Sequence, residues 1–523
     1  MFSLKKISLC SVLALATCTN NSSTENNNGG GGGDSGGGGS SASSGTAGGG
    51  NGGQNVTGGN SGQAGKGAGG SGGSALGGQA GSPNQGGSTP ISTRPMVTNK
   101  GICKPPGLKL TKVGTAASPM QITQGKGDDF MLVAERSGKI QRLKDGKLDG
   151  IFANFEPSVE TVGENRESER GLLGLALHPD FDNNGRFFVY YNRRDRDPYS
   201  QGTRAAMVIA EGKRMAADKS KAEPKLTSLV VVPAGNDHHI GGFLAFGRDG
   251  FLYAGLGDSG GPDNDRGQLS RKFDDLRAKI LRIDVDAPTR KVPGNLDKPG
   301  AAPQVWVYGV RNPFRGSFDS ATGDMYLGDV GEFSFEEINY VEYGKAPDPD
   351  FGWYLDTRDS AKLQAASCGG TTLHQTQTGM EGLAPVPNYA HFEPTIWGFL
   401  PIKTIAHDGP GSGAAPCTWM NKFTACGSGN NGACSRAVIG GVVYRGKKIP
   451  DLDGRYIYGE HVQNTVDSFI VKDGAVSCEA SLTADLKTGG TPIQGITSFG
   501  TDKDGEVYIT DLAGGNIYRI DPK

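Results

Sequence analysis

The chain has no charge excess of either sign and, beyond one short apolar segment near its start, no long apolar run. It carries 53 Lys and Arg against 55 Asp and Glu, a formal net charge of −2, with no basic cluster. A membrane-spanning helix needs about 20 apolar residues, and nucleic acid or an anionic membrane surface would call for a basic patch. The sequence therefore predicts neither such a helix nor a nucleic-acid partner.

Residues 1–18 have the layout of a secretory signal. Lys5 and Lys6 precede the short apolar segment 7–16, the order of charged and apolar regions in such signals. The segment ends in the letters LATC at residues 15–18, which resembles a bacterial lipobox, where the cysteine becomes the acylated first residue. We expect export to the cell envelope and a lipid anchor at Cys18. An ordinary signal cleaved nearby is the alternative.

Residues 19–100 are mostly Gly, Ser, Asn, Gln and Thr. Such a composition buries too little apolar surface to offset the entropy that ordering would cost. The sequence predicts a disordered Gly/Ser/Asn-rich tether here. Residues 101–523 are then the folded domain, which is long enough to enclose a large core.

Cysteine is scarce, and no CxxC pair is present among the eight, so a zinc site is not predicted. An even number of cysteines in an exported chain favours disulfides, although spacing alone does not fix which residues pair. Six candidates follow the lipobox-like cysteine: Cys103, Cys368, Cys417, Cys426, Cys434 and Cys478.

A local pattern recurs through the folded domain: a turn dipeptide such as Asp-Gly, followed by alternating apolar and aromatic residues. The pattern is typical of a β-hairpin. Six copies at intervals of roughly 50 to 75 residues, with one long gap, predict an all-β, six-bladed β-propeller. A β-sandwich is the rival fold, but a domain of this length would need several. The copies lie at residues 128–133, 184–190, 249–253, 323–327, 453–458 and 504–509.

The longest gap between copies, at about residues 355–436, holds four of the six cysteine candidates. Loops of this length inside a compact domain are usually functional or disordered. Because cysteines are concentrated here, we expect an ordered, disulfide-bonded insertion over one face of the propeller, with at least one short bridge inside it.

Three short segments carry residues suited to chemistry. His239 precedes paired glycines, where backbone can approach a ligand, and imidazole is the usual general base near neutral pH. Arg311 and Asn312 suit a carboxylate or a carbonyl-rich ligand. Gly331 and Glu332 end an acidic turn whose oxygens suit Ca²⁺, and loop 258–265 has similar chemistry without the EF-hand spacing. Taken alone, each segment is more typical of an ordinary loop than of a site.

Several motifs, taken in order, resemble the glucose/sorbosone dehydrogenase family over nearly all of residues 105–521. They are ERGLLGLALHPDF at 169–181, HIGG at 239–242, YGVRNP at 308–313, GDVG at 328–331, GGVVYRG at 440–446 and ITSFG at 496–500. The resemblance implies a six-bladed propeller that binds pyrroloquinoline quinone (PQQ) and Ca²⁺ on one face. It implies oxidation of the C1 hydroxyl of an aldose sugar, with a separate electron acceptor.

The same resemblance assigns roles to individual residues. His239 matches the catalytic base of the family. Glu169, Arg311 and Asn312 match residues that contact the cofactor. Gly331 and Glu332 match the pair whose backbone carbonyls ligate Ca²⁺.

The sequence departs from the best-studied members at the end of the chain. Those enzymes hold the anionic cofactor with one Lys and two Arg from the last two blades, whereas HVQNT at 461–465 and PIQG at 492–495 contain no cation. Charge-assisted contacts are among the strongest that such a ligand makes. A second hypothesis is therefore a non-catalytic propeller that binds a glycan or a protein through the same face, as hedgehog-interacting proteins do.

Overall fold

The computed structural model describes residues 102–161, 168–193, 205–260, 269–331, 335–347, 349–353, 402–406, 437–487 and 493–523. The predicted signal with Cys18, the tether, most of the insertion and Glu332 lie outside the described residues. So do four of the six disulfide candidates: Cys368, Cys417, Cys426 and Cys434. What the sequence predicts for these residues stays a prediction.

The described residues form twenty-four strands in six four-stranded antiparallel sheets, so the predicted all-β, six-bladed propeller is confirmed. Blades one to three are β2 Pro119–Thr123, β3 Met131–Glu135, β4 Lys139–Lys144 and β5 Lys147–Asn154; β6 Leu172–Leu177, β7 Arg186–Arg193, β8 Ala206–Lys213 and β9 Thr227–Pro233; and β10 Gly241–Phe246, β11 Leu252–Leu256, β12 Lys279–Ile283 and β13 Val305–Tyr308.

Blades four to six complete the ring and include β1 Leu108–Thr115, the first strand of the chain. They are β14 Pro313–Phe318, β15 Met325–Asp329, β16 Phe335–Val341 and β17 Lys403–Ala406; β18 Val438–Val443, β19 Tyr456–Glu460, β20 Thr465–Lys472 and β21 Ala475–Ser481; and β22 Ile496–Thr501, β23 Val507–Asp511, β24 Asn516–Pro522 and β1. Among the described residues, two short α-helices, α1 Phe181–Asn184 and α2 Thr483–Lys487, lie between strands. No described helix is long and apolar enough to cross a bilayer.

The turn dipeptides found in the sequence connect the first strand of a blade to its second. Gly250 and Gly505, for example, have φ values of +82° and +84° just before β11 and β23. Glycine adopts this left-handed conformation without steric cost. The repeated Asp-Gly dipeptide therefore marks the same turn in successive blades.

The first strands of the six blades line the centre of the ring, since each contacts the first strands of its two neighbours. Aromatic side chains pack between adjacent sheets: Tyr326 of blade four stacks on Tyr456 of blade five with ring centres 4.4 Å apart. Phe188 of blade two meets Phe246 of blade three edge-on, at 5.3 Å. Such pairs stabilise an interface by about 0.5–1.5 kcal/mol beyond their buried area.

The two ends of the domain close the ring. Strand β1 pairs antiparallel with β24 and so becomes the outermost strand of blade six. A disulfide joins Cys103, just ahead of β1, to Cys478 in β21 of blade five. The buried guanidinium of Arg455 donates to the carbonyls of Ile102, Cys103 and Cys478. One of the predicted disulfides is thus present, and it fastens two neighbouring blades.

One face of the ring, here called the upper face, is where the first strands begin and the second strands end. The two strands are antiparallel, so their loops meet there. In five blades a polar side chain near the end of the second strand accepts a backbone N–H just ahead of the first, which fixes the upper loops. The pairs are Glu135 with Ala117, Asn192 with Gly171, Asp329 with Arg311 and Asn312, Glu460 with Ala437, and Asp511 with Gln494.

Candidate functional site

The residues expected to carry chemistry lie together at the upper face. Glu169 precedes β6, His239 precedes β10, and Arg311 and Asn312 precede β14, while Gly331 follows β15. Hydrogen bonds connect these five residues to one another, directly or through one neighbour. The fold therefore brings together all the predicted site residues that it describes.

His239 and Asp258 form a closely bonded pair. Nδ1 of His239 lies 2.7 Å from Oδ1 of Asp258, whose side chain is 1% exposed. The backbone N–H of Gly260 and the indole N–H of Trp353 also donate to this carboxylate, each at 2.9 Å. Because an ionised carboxylate can only accept, Nδ1 carries the hydrogen, and Nε2 of the neutral ring is left as an acceptor. This tautomer is the one a general base requires.

The charge on Asp258 is secured by its neighbours. Burial alone would raise the pKa of its carboxyl group, but His239 and the Arg311 guanidinium outweigh burial and lower that pKa below its usual value. Asp258 is therefore ionised at neutral pH. An ionised carboxylate favours the positive charge that His239 acquires when it accepts a proton.

The backbone around this pair is strained. His239 and Ser259 have φ values of +53° and +64°, in a region that residues other than glycine rarely adopt. The N–H of Ser259 donates to the carbonyl oxygen of His239 at 3.1 Å. A Cβ on Gly257 would lie only 2.0 Å from that oxygen, so the position requires glycine. Strain of this kind persists where the surroundings enforce it, often at functional sites.

Arg311 lies against the other nitrogen of the imidazole. Its Nη2 is 3.0 Å from Nε2 of His239. Its Nη1 donates to the carbonyls of Val330 and Gly331, at 3.0 and 2.8 Å. The guanidinium carbon is 5.4 Å from the ring centre of Trp353. A buried cation thus contacts both the expected base and a carbonyl expected to ligate Ca²⁺.

Asn312 and Glu169 connect blades two, three and four. Oδ1 of Asn312 accepts the N–H of Gly241 at 2.8 Å, and its Nδ2 is 3.4 Å from Oε2 of Glu169. The same Glu169 oxygen accepts the N–H of Ile240 at 3.3 Å. These contacts hold the segment that follows His239. The cofactor contacts expected of Asn312 and Glu169 stay predictions.

The carboxylate of Asp329, the last residue of β15, has a structural role. The two oxygens of Asp329 accept the N–H groups of Arg311 and Asn312, at 3.0 and 2.7 Å. In the described part of the chain, no group of three or more His, Cys, Asp or Glu side chains could hold a metal ion. A cation in this place would depend on backbone carbonyls such as that of Gly331, which is a common kind of Ca²⁺ ligand.

Several buried polar atoms near His239 have no hydrogen-bond partner within the described residues. They are Nε of Arg311, Oγ of Ser259 and Nε2 of His238. A buried unsatisfied polar atom costs about 1–3 kcal/mol, so native proteins keep few of them. Similar atoms occur elsewhere in the described residues, but these three belong to residues that adjoin or contact His239, where a polar ligand would satisfy them.

The upper loops of blades five and six differ from the surroundings of His239 in their charged side chains. Their described residues, 461–464, 493–495 and 512–515, include no Lys or Arg. Nδ1 of His461 contacts the carbonyl oxygen of Ile496 at 2.8 Å, and burial lowers the pKa of this imidazole. Lys487 in α2 places an exposed ammonium 3.5 Å from the carbonyl of Gln463. The His239–Asp258 pair and the Arg311 guanidinium would suit the quinone end of PQQ, whereas residues 461–464, 493–495 and 512–515 offer no cation for its carboxylates.

Comparisons with known proteins bear on this geometry. The family model described as glucose/sorbosone dehydrogenase matches residues 117–386. The chain belongs to the glucose/sorbosone dehydrogenase family. It is 26% identical to the HIPL1 protein of Arabidopsis thaliana, over 80% of this chain and 63% of that protein. It is 27% identical to the aldose sugar dehydrogenase YliI of Escherichia coli, over 43% of this chain and 56% of that protein.

Solved structures of this kind share the fold. The PQQ-bound form of an aldose sugar dehydrogenase from Streptomyces coelicolor matches with a TM-score of 0.52 and 19% identity, covering 80% of this chain and 99% of that one. The chain spans less than two thirds of the length of HIPL1 and of YliI. Membership of the glucose/sorbosone dehydrogenase family therefore establishes architecture, and activity needs its own argument.

Sequence reasoning did not connect Asp258 or Trp353 with His239. An acidic loop at 258–265 suggests a cation more readily than a partner for a histidine. The pairing of two strands would have indicated the contact with Asp258. β10 begins opposite the end of β11, with Gly241 facing Leu256. Asp258, two residues after Leu256, therefore lies near His239, two residues before Gly241. Nothing in the sequence around Trp353 indicates its contact.

Proposed function

We propose that this protein is an oxidoreductase of the aldose sugar dehydrogenase type, which oxidises the C1 hydroxyl of a sugar at the upper face of the propeller. The observation that carries the proposal is the His239–Asp258 pair, with an imidazole nitrogen oriented as acceptor beside a buried cation. PQQ, when bound, supplies a quinone that accepts the hydride from C1. Ca²⁺ bound to carbonyls such as that of Gly331 would polarise that quinone.

In this proposal His239 takes the proton of the C1 hydroxyl on Nε2. Asp258, 2.7 Å from Nδ1, stabilises the resulting imidazolium without taking the proton itself. Trp353 and Gly260 hold the carboxylate in place through their N–H groups. Loss of one proton and one hydride would convert the sugar to its lactone, with a separate electron acceptor taking up the two electrons. Arg311, Asn312 and Glu169 would surround the cofactor.

A second candidate is a non-catalytic propeller that binds a glycan or a protein through the same face. Two observations favour it. Residues 461–464, 493–495 and 512–515 in the upper loops of blades five and six include no Lys or Arg. Glu169 adds a buried carboxylate beside Asn312, which would disfavour a tricarboxylate ligand. Under this hypothesis the unpartnered atoms near His239 would meet sugar hydroxyls or peptide groups, and no dye would be reduced.

The deciding experiment is reconstitution of the purified protein with PQQ and Ca²⁺, followed by dye reduction with a panel of aldoses. A general base contributes about 10²–10⁴-fold to rate, so His239→Gln should lose at least a hundredfold. His178→Gln is the matched control, because this imidazole follows β6 at the other end of blade two, where it bonds the N–H of Asp180 and the side chain of Asn184. If the wild type neither binds PQQ at micromolar concentration nor oxidises any aldose, the dehydrogenase proposal is wrong.

The proposed location of this activity is the cell envelope. The charged and apolar order of residues 1–18 supports export, and LATC at residues 15–18 supports acylation of Cys18. The Gly/Ser/Asn-rich residues 19–100 would then separate the propeller from the membrane. The disulfide between Cys103 and Cys478 agrees with an oxidising compartment.

A further inference from the structure

The guanidinium of Arg311 occupies the surroundings where the family resemblance places a metal cation. It donates to the carbonyl of Gly331 at 2.8 Å and to that of Val330 at 3.0 Å, and it lies 3.0 Å from Nε2 of His239. We propose that Arg311 is the resident cation of this site and acts as a latch. Its side chain must leave Gly331 before a divalent cation can bind that carbonyl.

The two cations exclude each other for electrostatic reasons. Ca²⁺ binds oxygen ligands at about 2.3–2.6 Å. A Ca²⁺ ion on the Gly331 oxygen would therefore lie within about 5 Å of Nη1 of Arg311, which is 2.8 Å from the same oxygen. Like charges at this distance repel strongly in a site from which water is largely excluded, and Arg311 is only 1% exposed.

The backbone of Arg311 would keep its place if the side chain moved. The backbone of Arg311 is held independently of its side chain, because its N–H donates to Asp329 and its carbonyl accepts the N–H of Asp258. Nε of the guanidinium is buried and has no acceptor among the described residues. The closed position therefore leaves this buried N–H without a hydrogen bond, which costs free energy.

One movement changes two functions at once. When Arg311 withdraws, it frees both the carbonyl of Gly331 and Nε2 of His239, so cation binding and exposure of the base are coupled. The coupling to the base matters only if the proposed dehydrogenase function holds. Competition between Arg311 and a divalent cation does not depend on it.

Terbium luminescence can test the latch, because Tb³⁺ substitutes for Ca²⁺ and emits when a nearby indole is excited. Trp353 is suitably placed, with its ring centre 5.4 Å from the Arg311 guanidinium carbon. Arg311→Gln removes the charge and should bind Tb³⁺ at least tenfold more tightly than the wild type. Arg311→Lys keeps a charge that cannot span two carbonyls and an imidazole, so it should show a smaller gain. The same measurement on the wild type and on each Arg311 variant with Trp353→Phe added gives the emission from other sites, which is subtracted.

The outcomes separate the latch from the proposed function. Equal or weaker Tb³⁺ affinity in Arg311→Gln would overturn the latch, as would the absence of Trp353-dependent emission in every form. A circular dichroism spectrum matching the wild type is required of each variant, and Arg311→Lys decides the question if Arg311→Gln does not fold. Dye reduction is measured separately. Tighter Tb³⁺ binding without any sugar oxidation leaves the latch standing and removes only the dehydrogenase proposal.

Discussion

The most informative perturbation of the proposed chemistry is Asp258→Asn. The substitution keeps the shape of the side chain but removes the negative charge 2.7 Å from Nδ1 of His239. The asparagine amide can also donate to Nδ1, which would leave the hydrogen on Nε2 and remove the acceptor. A hydrogen bond to a charged group contributes about 1.5–3 kcal/mol, and each 1.36 kcal/mol is tenfold in rate. We expect the rate of sugar-dependent dye reduction to fall by about 10- to 150-fold.

The assay compares kcat and KM for the best aldose with PQQ and Ca²⁺ saturating. KM should change little, because the carboxylate acts through the imidazole and does not touch the sugar. Asp324→Asn is a matched control: this carboxylate is also 1% exposed, accepts from Tyr340 and Tyr343, and lies at the opposite end of blade four. Activity within threefold of wild type in Asp258→Asn, with His239→Gln inactive, would refute the reasoning.

Three further predictions concern other parts of the chain. Burial lowers the pKa of Lys279 to about 7, well below the value of about 10.4 for an unfolded lysine; the unfolded state therefore binds more protons between these values. The free energy of unfolding should therefore rise by about 3 kcal/mol from pH 7 to 9.5. Urea titrations of Lys279→Met should lack most of that rise. If the variant shows the same dependence on pH as the wild type, the burial argument is wrong. Replacing Cys103 and Cys478 by Ser opens a loop of 375 residues. The free energy of unfolding, measured by guanidinium denaturation, should fall by about 2–4 kcal/mol. An unchanged free energy would mean that β1 closes the ring without the disulfide. Cys18→Ser should release the protein from the membrane fraction, and equal membrane association of mutant and wild type would exclude the lipid anchor.

The repeated hairpins could be predicted because their determinants are local. An Asp-Gly or Asn-Gly turn and the alternation that follows it are local patterns. Such turns, or weaker versions of them, precede the second strand of each blade: β3, β7, β11, β15, β19 and β23. Closure of the ring could not be predicted in this way. The pairing of β1 with β24 joins Leu108 to Pro522, and no local pattern marks two strands so distant in sequence as partners.

The candidate site shows the same division between local and distant information. The motifs identified His239, Arg311 and their neighbours, and the structure brings them together. The role of Asp258 depended on the register between β10 and β11, and the contact of Trp353 depended on the path of a later segment. The cysteine count indicated disulfides, but only the fold showed that Cys103 pairs with Cys478.

The fastening of Cys103 to blade five also determines how the domain would respond to mechanical tension. An edge strand pulled from one end loses its hydrogen bonds one after another, and β1, the strand that closes the ring, begins at Leu108, only five residues after Cys103. Tension arriving from the predicted tether would reach the disulfide first and pass through covalent bonds to Cys478 and the interior of β21. The hydrogen bonds between β1 and β24 would carry almost none of that load, so the propeller would stay closed while the tether is stretched.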